Sequence, residues 1–262
     1  MIKTRCIAGL LVFQAAAWAG NSVVETELVT DSLKTLPHGE KIQISTADRS
    51  FIAVLDEARS PSTEGGVILL PEAGHGPTTQ TVIGPLRDYL PDHGWTTLSL
   101  HLPVLEPEAR LAEYWKLLPE AGKRVTAAVN WWKQKGVKNI VLLGYGWGGL
   151  VAATYLAGQP DEAIRAAVFI SSGWPPERSR EMKEKLDKIN VPVLDISAQR
   201  DNPEVLDTRL DRRLIFKGKK GYRQFSVSAT GHDYLAWSQF LAKRVLGWLR
   251  QVAPGVTLVN SD

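Results

Sequence analysis

The chain has 262 residues, 44% of them hydrophobic and 23% charged, an ordinary balance for one globular domain and unlike a fibrous or disordered polymer. Its formal charge of +3 falls to +1 without Lys3 and Arg5, which leaves no general electrostatic case for nucleic-acid binding. Cys6 is the sole cysteine, so the chain beyond it has no disulfide, thiolate metal site or cysteine nucleophile.

Taken in chain order, residues 1–19 read as a secretory signal peptide. Lys3 and Arg5 precede an apolar run from Ile7 to Ala17, and Ala17-Trp18-Ala19 supplies a cleavage site. The run is shorter than the about 20 apolar residues that span a bilayer. The expectation is therefore a periplasmic protein with no transmembrane segment after cleavage; the alternative is an uncleaved anchor. Residues 20–40 form a leader with weak patterning. The folded domain is expected over 41–253, followed by a tail at 254–262.

From Lys41 onward the pattern alternates strands and helices. Lys41–Ser45 and Ser50–Asp56 flank a four-residue turn and predict an antiparallel hairpin. Residues 66–70 make a short apolar run, as in a strand buried on both faces. A helix is predicted between Gln80 and Leu90, and a strand over Thr96–Leu100. Pro103–Gly122 reads as a loop with a short helix. A helix at Lys123–Gln134, a strand at Asn139–Leu143, a helix at Gly148–Ala157 and a strand at Ala166–Ser171 follow. Then come a helix near Arg178–Ile189, strands at Val193–Ser197 and Tyr222–Ser228, and a helix over Tyr234–Gln251. Such alternation predicts a mainly parallel sheet covered by helices on both faces.

Ligand sites in parallel sheets lie beyond the carboxyl ends of the strands, where four segments carry candidate chemistry. The first is Gly144-Tyr145-Gly146-Trp147-Gly148-Gly149, between a buried strand and a helix. It fits the nucleophile elbow G-x-S-x-G, whose flanking glycines relieve crowding at a sharp turn. Gly146 then stands at the nucleophile position with no side chain, and Trp147 supplies a backbone N–H to the oxyanion. The same residues match the dinucleotide fingerprint G-x-G-x-x-G. However, several strands precede them, and the acidic residue that would bind the ribose is missing.

The second segment, Leu70-Pro71-Glu72-Ala73-Gly74-His75-Gly76-Pro77, follows the first buried parallel strand, where hydrolases place the other oxyanion N–H. Gly74 and His75 are the candidates. Asp201, past the strand at Val193–Ser197, and His232, after the last strand, complete the order nucleophile, acid, histidine. In that arrangement the Asp holds the imidazole tautomer. Tyr145, Trp115 and Trp174 are candidate pocket aromatics. The five histidines show no metal-ligand spacing, and no cofactor is expected. The basic cluster of Arg209, Arg212, Arg213, Lys217, Lys219, Lys220 and Arg223 is open to two readings: a patch for anionic lipid, lipopolysaccharide or a polyanion, or a solvated loop and strand edge.

The chain resembles the exported bacterial α/β-hydrolase-like proteins of unknown function in which glycine usually replaces the elbow serine. Residues 69–77, Pro85-Leu86, 94–103, 141–150 and Gly231-His232 carry the resemblance, which implies an α/β-hydrolase fold and an envelope location but no established activity. Without the serine, the expectation is a noncatalytic protein that binds an envelope ligand or a protein partner. The alternative is a serine-independent hydrolase in which His232 and Asp201 activate water on an ester-like substrate.

Overall fold

The continuous apolar runs become the middle of a single sheet. The computed structural model describes residues 20–255 apart from 35, 37 and 159. The expected signal peptide and residues 256–262 of the expected tail lie outside the described residues. Eight strands line up in the order β1-β2-β4-β3-β5-β6-β7-β8. They span Glu40–Ser45 (β1), Ser50–Asp56 (β2), Gly65–Leu70 (β3), Trp95–Leu100 (β4), Ile140–Tyr145 (β5), Ile164–Ile170 (β6), Val193–Arg200 (β7) and Arg223–Gly231 (β8). The expected hairpin forms between β1 and β2, and β2 also runs antiparallel to β4. Every other pairing is parallel.

Helices cover both faces, which is why β3 and β5 are buried at every residue. On one face, α2 (Ile83–Tyr89) and α7 (Ser238–Val252) enclose a core that includes Val67, Leu69, Val141, Leu143, Leu241 and Leu249. On the other, α3 (Leu118–Gln134), α4 (Trp147–Leu156) and α5 (Ser179–Asp187) close over Ile68, Leu142 and Phe169, with Trp132 contributed by α3. Among the described residues no helix is long and apolar enough to cross a membrane.

Three segments depart from expectation. Within the leader, Ser22–Lys34 forms helix α1, whose buried residues are the polar Glu25 and Ser32; a helix anchored by polar contacts leaves no apolar stripe to read. The helix expected at Lys123 starts at Leu118, with Pro119 in its first turn, where a missing N–H costs nothing. Between β7 and β8, Pro203–Ile215 forms helix α6, so Arg209, Arg212 and Arg213 belong to a helix and not to a loop.

Candidate functional site

The turn from β5 into α4 is sharp because two glycines let backbones meet. A Cβ on Gly144 would lie 2.4 Å from the Gly148 carbonyl carbon, and one on Gly148 would lie 2.1 Å from the Leu70 oxygen. Gly146 sits at the apex with φ +52° and ψ −117°. Trp147 opens α4, so its N–H points out of the positive end of the helix.

The space above Gly146 is filled by Glu72, from the loop after β3. Its Oε1 accepts from the N–H of Trp147 at 2.8 Å and from its own neighbour Ala73 at 2.6 Å. Its Oε2 lies 3.1 Å from His232 Nε2, and a Cβ on Gly146 would fall 1.5 Å from that same oxygen. In the sequence Glu72 is one residue of the loop at 70–77, with nothing local to mark it. The usable signal was complementarity: a glycine at the apex leaves a volume and two amide donors to be filled, and a carboxylate is the one long acidic side chain in that loop.

On the far side of the imidazole, His232 Nδ1 meets Asp201 Oδ1 at 2.6 Å. Asp201 Oδ2 also accepts from the Ala198 N–H at 2.7 Å and from Ser171 Oγ, which in turn meets the Tyr234 hydroxyl at 2.8 Å. Ser171 holds φ +48° to reach this position, a conformation rare for residues other than glycine. The structure thus adds Ser171 and Tyr234 to the surroundings of the site. Tyr145 packs its ring 5.1 Å from His232 and donates its hydroxyl to the His232 carbonyl at 3.2 Å.

The electrostatics follow from this row of groups. Burial by itself would lower the His232 pKa, but hydrogen bonds to Asp201 and Glu72 and the field of both carboxylates raise it to about 9. Burial would raise Asp201, yet its bonds from His232, Ser171 and Ala198 hold it below the ordinary aspartate value. The imidazole is therefore a cation at neutral pH, clamped between two carboxylates.

Gly146, Trp147, Asp201 and His232 come together as the sequence order placed them. The backbone donor beside Trp147 is Ala73, and neither Gly74 nor His75 fills that place. The His75 N–H is spent on the Glu72 carbonyl at 3.0 Å, and burial lowers its side-chain pKa. Trp115 and Trp174 lie in the core and not beside His232. Trp115 donates to Glu181 at 3.0 Å, and Trp174 lies 5.9 Å from the Arg212 guanidinium. For metals, His38, Asp56 and Asp88 bring ligand atoms within 4.8 Å of one another. Arg59 and Arg87 already pair with these carboxylates, at 2.8 Å to Asp56 and 2.9 Å to Asp88, supplying the charge that a metal ion would bring.

Solved structures share this architecture. Est1E from Butyrivibrio proteoclasticus aligns over 82% of this chain and 98% of its own, with a TM-score of 0.65 and 16% identity. The Pyrococcus furiosus esterase Pf2001 aligns over 82% and 93%, with a TM-score of 0.66 and 15% identity. A dienelactone hydrolase from Anabaena variabilis aligns over 83% and 99%, with a TM-score of 0.65 and 17% identity. Likeness at this level of identity shows the fold, which is that of the α/β-hydrolases. No curated protein sequence matches the chain. Its sequence does carry one family's pattern, over residues 21–121 and 106–251, and the chain therefore belongs to the family described as "Protein of unknown function (DUF3530)".

Proposed function

We propose that this chain is a noncatalytic α/β-hydrolase-fold protein, exported to the cell envelope, in which Glu72 closes the former reaction centre. One observation carries the reading: the Glu72 carboxylate takes the Trp147 and Ala73 N–H groups and the Nε2 of His232 together. In an acyl-transfer site those donors receive the oxyanion, and the imidazole receives the nucleophile's proton. Here a carboxylate of the chain stands in for both. Removing a serine nucleophile costs on the order of 10⁶ in turnover, and blocking the oxyanion donors also removes most of the residual rate.

Water-mediated hydrolysis by His232 and Asp201 has less support. A general base has to be unprotonated and within reach of water, whereas His232 is held as a cation with Nε2 on Glu72. Export rests on the N-terminal pattern of basic residues, apolar run and Ala17-Trp18-Ala19. The envelope ligand or protein partner is to be sought on the outer surface, because Trp147, Trp174 and Trp115 are committed to the core.

The test is covalent labelling by a fluorophosphonate together with turnover of a short-chain ester. The native chain should be inert in both. Gly146→Ser alone should stay inert, because its side chain collides with Glu72. The pair Glu72→Ala and Gly146→Ser should become labelled at position 146, since His232, Asp201 and two amide donors are already in place. Ester turnover by the native chain that disappears in Glu72→Ala or His232→Ala would sink the noncatalytic reading. Export is checked separately, by N-terminal sequencing of protein recovered from the periplasm, with Gly20 expected as the first residue.

A further inference from the structure

Helix α6 carries an exposed apolar row that the core does not use. Leu206, Leu210 and Leu214 are 37%, 62% and 58% exposed, and their spacing of four residues sets them in one line along the helix. The flanks of this row are chemically different. Asp211 lies on the side facing α5, where Lys183 pairs with it at 2.9 Å, and Asp207 shares that flank. Arg209 and Arg213 lie on the side facing the free edge of β8, where Gln224 donates to the Arg209 carbonyl at 3.0 Å.

The structure also sorts the basic cluster. Arg212 is buried against Asp195 at 2.9 Å, and Lys219 donates to the Ile189 carbonyl at 3.0 Å. Arg223 alternates onto the opposite face of the sheet with Phe225, which packs toward α2 and α7. Arg209, Arg213, Lys217 and Lys220 remain, all exposed. Among the described residues none of their side chains makes an ion pair or hydrogen bond.

We infer that α6 is a membrane-docking face that lays its leucine row into the interface of an anionic bilayer, with Arg209, Arg213, Lys217 and Lys220 on the headgroups. A helix with an apolar row flanked by Lys and Arg binds in this way, through buried apolar area plus attraction to anionic lipid. A second copy of the chain fits less well: it would cover the leucines but offers these four cations only Glu204 and Asp207 from its own α6, since Asp211 is already paired with Lys183. A simple polyanion would leave the leucines without a role.

The test uses the full chain carrying Cys6→Ser and Leu210→Cys, labelled at the new thiol with the polarity-sensitive dye nitrobenzoxadiazole. A probe at this position reports insertion of α6 even if the N-terminal apolar run binds vesicles independently. Equimolar phosphatidylglycerol and phosphatidylcholine vesicles should brighten and blue-shift the dye, and phosphatidylcholine alone should do so weakly. Each cation near an anionic surface contributes about fivefold to binding. Arg209→Gln, Arg213→Gln and Lys217→Gln combined should therefore weaken partitioning on the order of 100-fold. A dye that stays aqueous while the protein floats with anionic vesicles overturns the proposal. So does a lipid-free dimer, seen by sedimentation, that already buries the dye. Heparin binding unaffected by Leu206→Ser and Leu214→Ser, without any dye response to vesicles, assigns the patch to polyanions and overturns it as well.

Discussion

His232 joins groups that come from three distant parts of the chain, and its charge state makes that junction measurable. Its pKa is raised from 6.5 to about 9 by Asp201 and Glu72 against the opposing effect of burial. A raised cationic group contributes its full stability below 6.5 and loses it as pH climbs through 9. A shift of this size corresponds to about 3 kcal/mol shared among the three groups. Urea unfolding should therefore show stability falling across that alkaline window, and Glu72→Gln should flatten the fall. A native-like slope in Glu72→Gln would show that Glu72 does not hold the imidazole proton. Asp201 works in the other direction: its lowered pKa adds stability that is lost as pH falls into the acid range. Asp201 and His232 were legible because their order after the elbow is a property of the chain. Glu72 was not, since a carboxylate in a loop has no local mark showing which amides it will reach.

Among the elements, the elbow and α1 make opposite kinds of contact. The elbow depends on absent side chains. Gly144→Ala puts a methyl group against the Gly148 backbone, and overpacking of this sort costs about 1–3 kcal/mol, read as a lowered urea midpoint. Helix α1 depends on charge. Glu25 binds the buried Arg124 at 2.8 and 3.0 Å, and Arg124 also reaches Glu120 at 2.8 Å and the His101 carbonyl at 2.8 Å. Removing one partner of a buried pair typically costs about 3–5 kcal/mol. Glu25→Ala should fall at the low end of that range, because Glu120 stays, and should expose α1 to limited proteolysis. Unchanged midpoint and cleavage would show that α1 is not anchored through Arg124. Sequence pattern found the elbow because glycine spacing is itself the signal. It passed over α1 and α6, whose registers are set by ion pairs and by an outward-facing leucine row.

Across the molecule, burial is graded from the sheet centre to its edges. Strands β3 and β5 are buried throughout, whereas β1 and β8 bury few of their residues. Amide exchange should follow the same order. Amides of β3 and β5 should exchange only through global unfolding, and those of β1 and β8 through local fraying. Uniform protection across all eight strands would contradict this gradient.

The amino-acid order alone determined the class of fold, the place of the elbow and the succession of Asp201 and His232. Each of these rests on patterns within a few residues or on order along the chain, which folding preserves. Only the tertiary structure decided that the elbow is occupied. The side chain that fills it begins 75 positions before Trp147 and 160 before His232, and the partner of a polar group is chosen by which strands lie side by side. The same holds for α6, whose leucines are an unremarkable apolar set until packing on the sheet leaves them facing outward.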